Sequence, residues 1–443
     1  MEQVTVVGAG LAGCEAAWQL AQRGIPVRLC EMKPVKMTPA HHAPEFAELV
    51  CSNSLRGDRL ENAVGLLKEE LRRLDSLILA CAEATRVEAG GALAVDRTGF
   101  SALVTEKIRS HPLITVETGE VTEIPAPPVI IATGPLTSEA LSQTIQAYFG
   151  GKDYLNFFDA AAPLVTAESI DIDHAWFASR YDRGSADYIN CAMDAETYAA
   201  FVRELTAAEE AEVHGFEDKK VFEGCMPVEV MARRGVDTLR YGPLKPVGLK
   251  DPKTGKEPYA VVQLRRDNAA GTIYNLVGFQ THLKFPEQKR VFSIIPALRN
   301  AEFVRYGVMH RNTFLHSPDL LDCFYADRRN PLVAFAGQMT GVEGYVESTA
   351  SGFLAAVAMA FKVRGLPPVE FPRETAIGAL GHYISNPNAV NFQPMNVNFG
   401  ILAPLDHRVK GKANKNLAIA QRALACIDRL LPAIMLPQET ERV

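Results

Sequence analysis

The sequence predicts an α/β fold in which a doubly wound nucleotide-binding layer is split by an inserted mixed α/β unit. Three observations predict it. Near the N-terminus an apolar strand, a GxGxxG turn, an Ala-rich helix and a second strand ending in an acid follow in order, in "VTVVGAGLAGCEAAWQLAQRGIPVRLCEM". Between about 165 and 330 the texture shifts to more charge and more Pro/Gly turns, with strand-like pieces such as "YAVVQLRR" and "GTIYNLVGFQTH". Beyond 330, "LVAFAGQMTGVEGYVESTASGFLAAVAMAF" returns to strand, glycine-rich turn and long apolar helix, so the C-terminal part is expected to rejoin the first. The expected boundaries are 1–165 for the first part of the nucleotide domain, 166–330 for the insert and 331–443 for the second part. A chain of 443 residues is long enough for two cores.

Each element follows from its residues. Val4 to Val7 is a continuous apolar run suited to a buried parallel strand. In Gly8, Ala9, Gly10, Leu11, Ala12 and Gly13 the glycines suit a tight turn, close approach of backbone to a pyrophosphate, and close helix–strand packing. The helix that follows is expected from about Cys14 to Gln22, with Gly24 stopping it, and the next strand from Pro26 to Glu31. Glu31 then stands where ribose hydroxyls need an acceptor. "ENAVGLLKEELRRLDSLILACAEAT" has helical spacing, and "GALAVDRTGFSALVTEKIRSH" reads as strand, turn and helix. Val129 to Ala132 is a buried strand ending in Thr133 and Gly134. The third glycine-rich strand end carries Gly337, Gln338, Gly341 and Gly344. Three such ends fit a split, glutathione-reductase-like Rossmann domain with FAD lying across it. No second GxGxxG stands in a strand–helix–strand context, so NAD(P)H is expected as a passing reductant.

Composition narrows the class. Hydrophobic content of 47% with 22% charged residues is ordinary for a soluble globular protein. No apolar run approaches the roughly 18–20 residues that span a bilayer, and no basic n-region of a signal peptide is seen. The eight cysteines show neither metal-ligand spacing nor a CxxC pair. A cytoplasmic location, no metal and no membrane partner are therefore expected, and thiol–disulfide reductases are excluded. The net charge is −6, yet residues 219 to 311 hold 17 Lys and Arg against 8 Asp and Glu. A basic middle on an acidic frame suits either a grafted polyanion-binding surface or a plain solvated face.

Several stretches together carry a resemblance: "VVGAGLAGCEAAWQLAQRG", "ELVCSNSLRGD", "FEGCMPVEVMARRG", "LVGFQTHLKFPEQKRVFSIIPALRNAEFVRYGVMHRNTF" and "AFAGQMTGVEGYVESTASG". In order, and over nearly the whole chain, they resemble the folate- and FAD-dependent tRNA uracil-5-methyltransferases. The resemblance implies that a carbon passes from 5,10-methylenetetrahydrofolate to C5 of the T-loop uridine, position 54, with reduction by NADH or NADPH through FAD. The product would be ribothymidine, and the partner the T-arm of tRNA. A wobble-uridine-modifying FAD/folate enzyme shares the first glycine motif but normally carries a long further helical part, where this chain has only "NLAIAQRALACIDRLLPAIML". A small-molecule FAD oxidoreductase is the third reading.

The chemistry makes sense of lone thiols. Uracil C5 becomes nucleophilic only after something adds to C6, and a thiolate is suited to that addition and to leaving afterwards. Cys225, in "EGCMPVEVMARRG", is expected as the C6 nucleophile, and Cys51 as a thiol near the flavin that assists C5 deprotonation or holds the methylene carrier; the two roles are interchangeable at this level. Cys14, Cys30, Cys81, Cys191, Cys323 and Cys426 are expected as buried hydrophobes. The folate's pterin needs a flat face, for which His310 and His282 are the candidates. For tRNA phosphates the basic middle offers Arg233, Arg234, Arg265 and Lys289, with Lys219, Lys220, Arg266 and Arg290. Arg265 and Arg266 cannot both face inward on one strand.

Overall fold

The computed structural model describes residues 2–151, 154–160, 162–182, 185–211, 226–307, 309–389 and 392–435. Its central layer is a six-stranded sheet ordered Ala326–Asp327, Asn330–Phe335, Val129–Ile131, Val4–Val7, Val27–Glu31 and Ile114–Thr118. All neighbours are parallel except the first pair. Val6 stands beside Leu29 on one side and Ile130 on the other. The central strands Val4–Val7 and Val129–Ile131 are buried on both faces, which is why they read as continuous apolar runs rather than alternating ones.

The helix after the first strand spans Leu11–Gln22, three residues earlier than expected. Gly10 is its N-cap in extended backbone, with no capping side chain to announce the start. Gly13 therefore lies inside the helix, where a Cβ would run into the Gly8 carbonyl. The expected single helix after Asn62 is two, Ala63–Arg73 and Leu77–Ala84. Asp75 breaks it in left-handed backbone (φ 54°), and Ser76 caps the second piece by accepting from the Leu79 amide. Helix Tyr345–Lys362 packs against Leu11–Gln22 on the sheet, and one core runs through residues up to Phe149 and again from Phe314.

A second six-stranded sheet, antiparallel throughout, is ordered Ala175–Ala178, Tyr188–Met193, Ala260–Arg266, Ile273–Leu276, Leu164–Thr166 and Phe303–Arg305. Helices Ala195–Ala207, Val228–Arg233 and Phe285–Phe292 contribute to its separate core, which draws on residues 165 to 303. Tyr154–Ala160 and Met309–Leu315 pair antiparallel at the two crossings between the bodies. A small sheet of Ser54–Gly57, Ala92–Val95 and Arg86–Val87 follows Cys51. Among the described residues no helix is long and apolar enough to cross a membrane.

Candidate functional site

The parallel sheet directs three glycine-bearing loops to one place, the C-terminal ends of its strands, where open α/β sheets bind their ligands. Gly8 has φ 97°, and a Cβ there would lie 2.7 Å from Ala132 O, so the first loop backs directly onto Ala132 and Thr133. Gly337 backs onto Ala12: a Cβ built on it would sit 3.3 Å from the Ala12 Cβ. Cβ positions on Gly10 and Gly134 would point into open space, as backbone facing a ligand requires. Glu31 is buried at the end of its strand, where its carboxylate accepts from the Ala9 amide at 2.6 Å and the Lys33 amide at 2.9 Å. Leu11 and Ala12 lie buried behind the loop, as the first turn of the helix. Glycine backbone, a helix N-terminus and a strand-end carboxylate form a cradle that fits a dinucleotide diphosphate. His41 and Thr38 line the same pocket, 2.6 Å apart through Nδ1 and Oγ1.

At the far end of the cradle Gly341 and Gly344 shape the turn into helix Tyr345–Lys362, and Gln338 donates to Glu343 at 2.6 Å. The first residue of that helix reaches Cys51. The Tyr345 hydroxyl oxygen accepts from the Cys51 amide at 2.8 Å and the Ser52 amide at 3.2 Å. The half-buried Cys51 is thus tied to the glycine loop of the third strand end.

Three arginines surround this segment. Arg265 donates to Ser52 Oγ at 2.5 Å and to Asn53 Oδ1 at 3.2 Å; burial pulls its pKa down. Arg97 pairs with Asp267 at 2.8 Å and donates to Leu49 O. Arg305, its pKa lowered by burial, feels the charges of Arg97, Asp267, Tyr345 and Cys51. Its Nε and Nη2 are buried with no hydrogen-bond partner, two donors left to point at a ligand. Such surroundings favour an anion beside Cys51. Arg97, Arg305 and Tyr345 escape sequence reading. Tyr345 alone had a signal, its place directly after Gly344 in "GVEGYVE".

Other candidates stand elsewhere. Cys225, Lys219 and Lys220 lie outside the described residues, and of the His310 side chain nothing is described, though its backbone pairs with Asp159. His282 is buried, with its ring between Glu210 and Glu229 rather than on an open face. Arg265 is spent inside the protein, whereas Arg266 points outward to Glu88, as strand alternation requires. Arg233, Arg234, Lys289 and Arg290 are all exposed; Arg233 pairs with Glu210 and Arg290 with Glu204 and Glu287. Cys14, Cys30, Cys81, Cys191 and Cys426 are buried, and burial raises the pKa of each. Cys323 is only half-buried.

Comparison with known proteins agrees with this architecture. The family model described as glucose inhibited division protein A matches residues 3–367. A methylenetetrahydrofolate–tRNA-(uracil-5-)-methyltransferase of Acetivibrio thermocellus is 62% identical over 96% of this chain and 97% of its own. Those of Heliobacterium modesticaldum and Enterococcus faecalis are 60% and 59% identical, over 98% and 96% of this chain and 99% and 97% of theirs. Among solved structures, GidA of Aquifex aeolicus superposes with a TM-score of 0.73 at 16% identity, covering 99% of this chain and 76% of that one, a likeness of fold. With its FAD cradle and full-length relatives of one activity, the chain belongs to the family of folate-dependent tRNA uracil-5-methyltransferases, enzymes and flavoproteins.

Proposed function

We propose that the enzyme converts the T-loop uridine, position 54, of tRNA to ribothymidine, with carbon from 5,10-methylenetetrahydrofolate and reducing equivalents from NADH or NADPH. The observation that carries this reading is the tie between Cys51 and the start of helix Tyr345–Lys362, which brings a thiol to the glycine loop at one end of the dinucleotide cradle. The transferred carbon arrives at the formaldehyde level of oxidation and leaves as methyl, so two electrons and a proton must be added. FAD, held by the loops at Gly8–Gly13, Thr133-Gly134 and Gly337–Gly344 with Glu31, supplies that redox capacity when bound.

The protein's own groups do the rest. A thiolate, assigned to Cys225, adds to C6 and generates negative charge on the ring at O4 and C5. The charge is matched by the cationic surroundings of Cys51, with Arg305 offering two buried donors. Cys51 takes part on the cofactor side, in removal of the C5 proton. Elimination of the Cys225 sulfur from C6 then restores the ring. His310 remains the pterin candidate. Arg233, Arg234 and Lys289, exposed on the inserted body, remain the candidate phosphate contacts. The target base lies inside a folded loop, so it must leave its stack to be reached.

Unmodified tRNA, labelled methylenetetrahydrofolate and NAD(P)H are incubated with the enzyme, and the nucleosides are then analysed. Labelled ribothymidine at the T-loop is expected; label in the anticodon supports the wobble-uridine reading instead. Cys225→Ala and Cys51→Ala each abolish turnover on this reading, and near wild-type turnover in either refutes its role.

A further inference from the structure

We propose that a groove on the inserted body, framed by Arg240, Tyr241 and Tyr259, is a second RNA contact that stacks an unpaired base of tRNA away from the reacting thiol. The proposal rests on tRNA being the substrate, not on which of its uridines is modified. The groove has a volume of about 720 Å³ and is lined by Arg240, Tyr241, Lys245, Val247, Glu257 and Tyr259 among others. That volume is in the range of pockets that hold a small ligand.

The local sequence explains its shape. From Arg240 to Tyr259 the chain holds five Lys and Arg against two Asp and Glu, an excess of three positive charges in a chain whose net is −6. Gly242 follows the short helix Thr238–Tyr241 and ends it, which leaves Tyr241 83% exposed at its last position. Arg240, one residue earlier, is held against Tyr259. Its guanidinium carbon stands 3.6 Å from the centre of that ring, while Nε donates to Tyr259 O at 3.0 Å and Nη1 to Asp237 Oδ1 at 2.9 Å. Buried Tyr198 meets the Tyr259 ring edge-on at 5.4 Å and supports it from within. The loop that bears Lys245 is braced as well: Glu257 accepts from the Gly248 amide at 2.8 Å, and Arg180 donates to Val247 O.

A single exposed tyrosine is ordinary. This one shares a groove with a cation already placed on an aromatic ring, and both surfaces are of the kind on which unpaired bases stack. Phosphates find their partners in the same turns. Lys250 and Lys256 are exposed and Lys245 is half-buried, and among the described residues none of the three pairs with a carboxylate. Glu257, the acid lining the groove, is engaged by the Gly248 amide. Aromatic faces interleaved with uncompensated lysines complement a polyanion that carries bases, which is RNA. Strand Ala260–Arg266 leads from Tyr259 to Arg265, the arginine that braces Ser52 beside Cys51. Six residues of strand span about 20 Å. A lone nucleoside beside Cys51 cannot reach the groove, whereas a folded tRNA can. The groove therefore serves capture of the tRNA and takes no part in the chemistry.

The test uses the full-length FAD-loaded enzyme and unmodified full-length tRNA. Fluorescence anisotropy gives Kd for wild type, Tyr241→Ala, Tyr241→Phe and Lys245→Gln over a range of salt, and methyl transfer gives kcat and KM. Tyr241→Ala is expected to raise Kd and KM for tRNA at least about fivefold, with kcat within about twofold. Tyr241→Phe keeps the ring and is expected to stay within about twofold of wild type. Lys245→Gln is expected to lower the slope of log Kd against log salt by about one. The Tyr241 side chain is exposed, so its removal leaves the core intact. Equal Kd values for Tyr241→Ala and wild type overturn the proposal. An unchanged Kd with an altered sedimentation coefficient also overturns it, and gives the groove to a second copy of this chain. If wild type itself binds no tRNA, the substrate reading falls together with this one; label found in the anticodon leaves the Kd comparison standing.

Discussion

One hydroxyl places Cys51. The Tyr345 oxygen accepts from two successive amides, those of Cys51 and Ser52, so it fixes the backbone that carries the thiol. Phenylalanine would fill the same volume but leave both amides without their acceptor, at about 1–3 kcal/mol for each that stays dry. Tyr345→Phe is expected to lower the melting temperature and slow single-turnover methyl transfer at least tenfold, with FAD content unchanged because the glycine loops are untouched. A variant that melts and reacts like wild type would show the hydroxyl to be idle. At this scale the sequence was legible in local structure: the glycines other than Gly13 fall in the loops at the strand ends and Glu31 at the end of its strand. It was not legible where a type serves many. Arg265 and Lys289 look alike in the chain, yet one braces Ser52 and Asn53 from inside and the other faces solvent.

Elements carry the cradle. Helices Leu11–Gln22 and Tyr345–Lys362 cross so closely that a Cβ on Gly352 would run into Ala12 O. A single methyl at that point must separate the two helices whose N-termini frame the cofactor loops. Gly352→Ala is expected to destabilise by about 2 kcal/mol or more through overpacking and to leave the purified protein poor in flavin absorbance; full flavin occupancy would contradict this. The close crossing has a trace in the sequence, as Gly352 follows small residues (Ser348, Thr349, Ala350, Ser351) where the helix turns apolar, but nothing there names its partner. A second element contact titrates. Glu70 of helix Ala63–Arg73 caps helix Ala376–Ile384, accepting from the Ala376 amide at 2.7 Å and the Ile377 amide at 2.8 Å. Burial pushes its pKa up to about 8, against the lowering effect of these two amides. The native state then keeps a proton that the unfolded chain gives up above its own pKa, near 4.5, so stability falls as pH rises between the two values. Urea unfolding at pH 5 and pH 8 should show this loss in wild type, on the order of a few kcal/mol, with a flatter dependence in Glu70→Gln. Equal slopes in both proteins would remove Glu70 as the source.

At the scale of the whole molecule, the segment around Cys51, where we propose that the chemistry takes place, is also where the parallel and antiparallel bodies meet. Arg97, at the start of helix Arg97–Ser110, reaches Asp267 just beyond strand Ala260–Arg266, and the Asp96 carboxylate accepts from the Ala269 amide at 2.9 Å. Asn53 donates to Arg266 O at 3.0 Å. The two-body plan was legible because each body has its own periodicity: continuous apolar runs for the buried parallel strands and punctuated, charged strands for the insert. The contact between them was not, since it joins positions some 170 residues apart that no local pattern links. The ties across it differ in weight. Arg266–Glu88 is largely exposed and is worth about 0–1 kcal/mol, so Glu88→Gln should change little. Arg97 and Asp267 are both largely buried, so removing the acid strands a guanidinium away from water, at about 3–5 kcal/mol. Asp267→Ala should therefore lower the unfolding midpoint markedly. Under native conditions it should retain FAD, because the glycine loops belong to the parallel body alone, while methyl transfer to tRNA collapses as Arg97 and the Cys51 segment lose their register with Arg265. Loss of flavin in step with activity would mean that the junction supports the cradle itself rather than the thiol beside it.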